Sequence, residues 1–279
     1  MSRRRHRKIA KRAGVYLGAL VCALFFGMPL LWMVSTAFKP EREWLSVPPK
    51  LIPAHPTWAN FTGVIHWGFP RYFLNSLIVS LGATVLTIVL AVGASYALSR
   101  LKFPGSGLVL MVALFSQLLP TAVLIVPLFR LARDVGLVNT FEGVIIIYLS
   151  FDLPVAIWLL RSYFVGLPWE LEEAAQVDGA TKFGAFRRAL LPLAVPGIVA
   201  TVAYVFFASW QEFVFALTIL STSSRETLPV AIYGFIGQYS SNWGELMAAS
   251  VLLLVPTFLL FALLQRRMVR GLTQGAVKG

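Results

Sequence analysis

Apolar positions in this chain gather into long runs rather than scattered patches. Near residues 14 to 38, 73 to 98, 107 to 129, 143 to 164, 193 to 220 and 246 to 265 the side chains are almost entirely hydrophobic, over about 20 residues at a time, the length at which an α-helix crosses the hydrocarbon core of a bilayer. Six transmembrane helices are therefore predicted, in an all-α polytopic membrane protein. Pro120, Pro127, Pro154 and Pro196 fall inside the third, fourth and fifth runs. They are expected to break those helices, which lipid tolerates where neighbouring helices satisfy the freed carbonyls.

One of the polar segments between the runs has a pattern of its own, EEAAQVDGATKFGAFRRALLP, ending at Pro192. Pro168 suits a first helical position, and Glu170, Glu172 and Glu173 crowd a first turn, where carboxylates complement the helix dipole. Asp178-Gly179 is a plausible stop, because glycine accepts the left-handed conformation that closes a helix. Thr181 then caps a second short helix whose Phe183, Phe186 and Leu190 recur on one face, and Pro192 ends the polar segment. The expected product is two short helices joined by a tight turn. Ala174 and Ala175 allow another surface close approach, and Glu173 offers a charge to an arginine partner.

Composition agrees with the membrane reading. Hydrophobic residues make up 58% of the 279, charged residues 13%, and the mean hydropathy is +0.76, values that a water-soluble domain of this length would not carry. Residues 1 to 12, 99 to 106, 161 to 192 and 266 to 279 hold 17 of the 24 Lys and Arg. The positive-inside rule places these segments, and so both termini, in the cytoplasm. The net charge of +12 is mostly this asymmetry; it lies next to spans, so anionic lipid rather than nucleic acid is its counterpart. The basic start, SRRRHRKIAKR, leads into an apolar run too long for a secretion signal and without a small-residue cleavage site, so an uncleaved first span is expected.

Little in the chain suggests covalent chemistry. Cys22 is the single cysteine and the three histidines are scattered, so no disulfide and no metal is expected. The phosphate-cradling G-x-x-x-x-G-K-[ST] loop is absent, as are the G-x-S-x-G and H-E-x-x-H motifs. Asp152 and Glu212 are the acids inside predicted spans, and each costs roughly 2.5 to 3.5 kcal/mol to insert, so each should face a cavity or a partner. For Glu212 the alternatives are lining a pathway or fixing a kinked helix, against an ordinary packing contact. For Asp152, beside Pro154, capping a broken helix is the stronger reading. Trp210, Tyr239 and Trp243 offer faces for sugar rings, with interfacial anchoring the better reading for Trp243.

The spacing from Glu173-Ala174-Ala175 through Gly179 to Leu191-Pro192 resembles the EAA loop of bacterial ABC-importer permeases, with Ala189 where that family usually has Ile. The ending PTFLLFALLQRRMVRGLTQGAVKG, the early LWMVSTAFKP and the later TLPVAIYGF resemble carbohydrate-importer permeases, particularly the smaller, MalG-type subunit of maltose-type transporters. The resemblance implies a type I ABC importer permease fold. The chain then divides into a basic N-terminus (1 to 12), a first span with its extracytoplasmic loop (13 to 70), a five-helix core (71 to 265) holding the coupling loop at 165 to 192, and a cytoplasmic tail (266 to 279). The implied partners are a second permease subunit, two copies of an ABC ATPase, an extracytoplasmic solute-binding protein, and a carbohydrate substrate, besides membrane lipid. The chain itself is expected to bind no cofactor, ATP and magnesium sitting on the ATPase. Carried over by position, Glu173, Ala174, Ala175, Asp178, Gly179, Phe183, Phe186, Leu191 and Pro192 couple to the ATPase, and Gly271, Gly275, Lys278 and Gly279 form a tail contact with it. Asp152, Trp210 and Glu212 are candidates for the pathway, and Gln238, Tyr239, Asn242 and Trp243 for a loop that probes the binding protein. The rival readings are an ion-driven secondary transporter, which would place relay residues in broken helices, and a membrane-embedded transferase, which would gather polar groups near one interface.

Overall fold

A computed structural model describes residues 2–101, 104–236 and 242–275. In chain order the α-helices are α1 (Ser2–Ala37), α2 (Glu41–Trp44), α3 (Ala59–Trp67), α4 (Phe69–Arg100), α5 (Ser106–Phe115), α6 (Thr121–Asp134), α7 (Phe141–Val165), α8 (Glu170–Val177), α9 (Lys182–Ala185), α10 (Leu191–Gln211), α11 (Val214–Ile219), α12 (Leu228–Tyr233) and α13 (Trp243–Gly275). Five stretches are long and apolar enough to cross a membrane: Gly14–Ala37, Phe69–Arg100, Phe141–Val165, Lys182–Gln211 and Trp243–Gln265. The run predicted as the third span is instead a bent pair, Ser106–Leu118 and Thr121–Asp134, turned through 103° at Pro120. Counting that pair as one span gives six.

The prolines act less uniformly than expected. Pro120 stands between two helices, after extended Leu119 and as the N-cap of α6. Pro127, Pro154 and Pro196 lie inside continuous helices, so the fourth span is unbroken and the fifth is interrupted elsewhere, at Glu212.

The chain forms two compact units, residues 1–69 with 232–254, and residues 70–231 with 255–279. In the first, buried Asn60 ties α3 to the end of α1 through bonds from Nδ2 to the carbonyls of Ala37 (2.8 Å) and Lys39 (2.9 Å). Trp44 Nε1 donates to the same Lys39 carbonyl at 2.9 Å, and buried Glu43 accepts the Ala54 N–H at 2.9 Å. Phe38, Trp58 and Phe61 pack edge and face over this corner. The Lys39 ammonium, itself buried, lies 4.1 Å from the centre of the Trp32 ring.

The second unit has two apolar cores. One gathers Val79, Ala83, Val144, Ile147, Phe215 and Ile219. The other gathers Ala91, Leu160, Phe164, Phe186, Leu190 and Val205, and carries the polar cassette. Between α7 and α10 the contact is close because position 197 is glycine: a Cβ there would run into the Tyr163 ring.

Candidate functional site

The cassette folds much as its sequence predicts. Three glutamates open α8, Gly179 takes the left-handed φ of +85°, and the Thr181 hydroxyl accepts the Gly184 N–H at 3.1 Å to start α9. Two details differ. Pro168 precedes the helix, whose N-cap is Trp169. Pro192 does not end the segment, because a π-helical turn over Phe186–Leu190 carries α9 directly into α10. The wider turn leaves room for a ring that cannot donate a hydrogen bond.

Neighbouring glutamates divide the work of α8. Glu173 and Ala174 are exposed, and Ala175 is half-buried. Glu172 points inward and is 5% exposed. Its Oε1 accepts the Tyr96 hydroxyl at 2.7 Å, and its Oε2 lies 3.5 Å from Arg100 Nε. Arg100 in turn donates to the carbonyls of Phe164 (3.1 Å) and Leu167 (3.0 Å) and lies over the Trp169 ring at 4.8 Å. The end of α4, the end of α7 and the start of α8 are thus fastened at one buried charge pair. Sequence reasoning placed Arg100 among the interfacial basic residues and missed this partner, 72 positions away in the sequence, because the pair forms only where α4 and α8 meet in space.

The predicted apolar face of the second cassette helix is split. Phe186 and Leu190 are buried in the core, with Phe186 against Tyr96 at 4.4 Å, whereas Phe183 is 70% exposed. Val177, which the sequence did not single out, is 87% exposed. Two bare apolar side chains therefore flank the Gly179 turn, with Asp178 exposed beside them.

A second polar site lies in the other half of the same unit. Asp152, on α7, is buried, and its Oδ2 accepts the Ser209 hydroxyl at 2.9 Å. It caps no helix end, since α7 runs through Pro154; that expectation is corrected. The capping acid is Glu212, which accepts the N–H groups of Phe215 (2.8 Å) and Ala216 (3.1 Å) where α10 stops and α11 begins. Asp152 and Glu212 line one cavity of about 330 Å³, together with Tyr148, Phe151, Ser209 and Phe215. Trp210 is not among its lining residues: its ring is buried, stacked on Phe206 and edge-on to Phe73.

Of the loop and tail candidates, Gln238, Tyr239, Lys278 and Gly279 lie outside the described residues, and Gly271 and Gly275 close the last turns of α13. Asn242 caps α13, its Oδ1 accepting the Glu245 N–H at 3.0 Å, and Trp243 is the first residue of that helix. Among the described residues no group of three metal-ligating side chains comes together.

Residues 83–274 match the model of the family described as "Binding-protein-dependent transport system inner membrane component". The chain belongs to this family. It is accordingly a multi-pass inner-membrane component of a binding-protein-dependent transport system, not an enzyme, and the cassette and cavity both fall within the matched region. The permease is 39% identical over 255 residues to the trehalose transport system permease protein SugB of Mycobacterium tuberculosis, covering 90% of this chain and 92% of that one. It is 37% identical to the diacetylchitobiose uptake system permease protein DasC of Streptomyces coelicolor, covering 95% and 97%. It is also 34% identical to the trehalose/maltose transport system permease protein MalG of Thermococcus litoralis, covering 98% and 99%. Among solved structures, a bacterial ABC transporter that imports the acidic polysaccharide alginate superimposes with a TM-score of 0.77 at 21% identity, over 94% of this chain and 97% of that chain. That likeness is one of fold.

Proposed function

We propose that this permease is one of two membrane subunits of an ATP-driven carbohydrate importer, paired with a different permease chain and served by two copies of an ABC ATPase and a solute-binding protein. The observation that carries the reading is the cassette, a polar helix-turn-helix anchored at its root by Arg100 and Glu172 and bare at its tip. A rigid root with an exposed apolar tip transmits the motion of a bound partner into the spans, which a loosely held loop would not. Val177 and Phe183 supply contact area, and Glu173 a charge for an arginine on the ATPase. The named relatives carry trehalose, maltose or diacetylchitobiose systems, which supports a sugar as the solute. ATP and magnesium belong on the ATPase, and transport proceeds by alternating access of a cavity between the two permease chains.

Purification of the permease with its co-expressed neighbours tests this. The expected result is a stable complex containing an ATPase, whose ATP hydrolysis rises when sugar-loaded binding protein is added. Uptake that collapses with an ionophore while ATP stays intact, with no ATPase in the complex, would overturn it.

A further inference from the structure

The cavity between α7 and the α10–α11 junction has the chemistry of a binding site for a neutral, hydroxyl-bearing solute. Its two acids are engaged very differently. Glu212 uses both carboxyl oxygens on backbone N–H groups, about half of its acceptor positions, and these bonds hold the helix break. Asp152 has one hydrogen bond, from Ser209 to Oδ2, although a carboxylate has about four acceptor positions. A carboxyl group that is 7% exposed, set within a span and served by one hydroxyl, faces a cavity when its remaining capacity has a use. The cavity supplies a complementary surface: the rings of Phe151 and Phe215, 4.9 Å apart and 30° from parallel, both line it, with Tyr148 and Ser209 adding hydroxyls. Its volume falls within the range of small-molecule pockets, which combine apolar walls with a few placed polar groups.

We infer that this cavity is a solute subsite on the permease itself, in which Asp152 accepts hydroxyl hydrogens of a sugar ring whose apolar face lies on Phe151. The assignment rests on the carbohydrate-import reading. Rather than letting the solute pass by diffusion alone, the subunit then holds it after release from the binding protein.

The test uses the full complex in lipid nanodiscs and proteoliposomes, with trehalose, maltose and diacetylchitobiose as probes. Native Cys22 is replaced (Cys22→Ser), and Ala208→Cys places a thiol in the cavity wall. In the absence of binding protein, the sugar that the unmodified complex imports is expected to slow maleimide labelling at position 208 by about threefold or more, and Asp152→Ala to abolish that protection. Asp152→Ala and Asp152→Asn are expected to lower sugar imported per ATP by about tenfold, the loss of one hydrogen bond to a charged group. Should Asp152→Ala fail to assemble with the ATPase, Asp152→Asn carries the same two measurements. Unprotected labelling with unchanged import per ATP overturns the subsite while leaving sugar import standing. Protection by an amine-bearing solute and not by sugars overturns the assigned chemistry. A complex that hydrolyses ATP yet imports none of the three sugars removes the carbohydrate reading, and the subsite with it.

Discussion

Glu172 and Glu173 are adjacent and chemically identical, and their substitutions should have opposite signatures. Glu172→Ala leaves the Arg100 guanidinium buried beside an empty position, and breaking a buried pair from one side costs roughly 3 to 5 kcal/mol. Glu173→Ala, on the exposed face, should change stability by less than about 0.5 kcal/mol. It should nonetheless weaken ATPase docking by roughly 1.5 to 3 kcal/mol through the lost charge-assisted contact. Thermal unfolding of the detergent-solubilised chain and ATPase co-purification separate the two; a Glu172→Ala protein as stable as its parent would refute the internal role. Lys39, outside the spans, gives a pH signature. Burial lowers its pKa from 10.5, with Glu43 opposing. Between the lowered value and 10.5 the unfolded chain holds the proton more tightly than the folded one, so stability rises with pH across that window and is flat below it. The unfolding midpoint of the parent should therefore gain on that of Lys39→Met as pH climbs through the window, and a parent that loses ground would contradict the burial.

At the scale of elements, the decisive features are a turn, a break and a bend. Gly179 was legible because Asp-Gly after an alanine-rich helix needs a left-handed residue, and the structure supplies φ of +85°. For Glu212 the sequence offered fixing a kinked helix as one alternative beside lining a pathway and an ordinary packing contact, and local pattern could not choose among them. A glutamate three residues ahead of two free N–H groups becomes a cap only once the chain has turned. Glu212→Ala should cost about 0.5 to 2 kcal/mol, in the range of other lost helix caps, and Glu212→Gln less, because it keeps an acceptor. Equal melting temperatures for parent and Glu212→Ala would show that packing alone holds the junction. Pro120 lies at the 103° bend between its pair of helices, whereas Pro127, Pro154 and Pro196 lie inside continuous helices. A proline permits a bend, and the neighbours decide whether it is used.

For the whole molecule, removal of residues 271 to 279 is the informative truncation. The shortened permease should still insert, with Arg266, Arg267 and Arg270 remaining to hold the last span at the cytoplasmic interface. It should bind its ATPase more weakly and show lower coupled hydrolysis. Full transport with unchanged ATPase affinity would mean that the terminus has no partner.

By itself the sequence determined the helical class, the membrane-length apolar runs and the two-helix polar cassette with its glycine turn and threonine cap. These depend on neighbours within about one helical turn or on the hydropathy of a continuous stretch, and both are written locally. The tertiary structure alone decided which glutamate of the Glu172-Glu173 pair faces inward, which of Asp152 and Glu212 caps a helix, and which proline sits at a bend. Each of those outcomes depends on what another segment places opposite the residue: Arg100 against Glu172, Ser209 against Asp152, the turned backbone of α11 against Glu212. A carboxylate in an apolar setting is costly wherever it stands, and the fold determines which donor meets it.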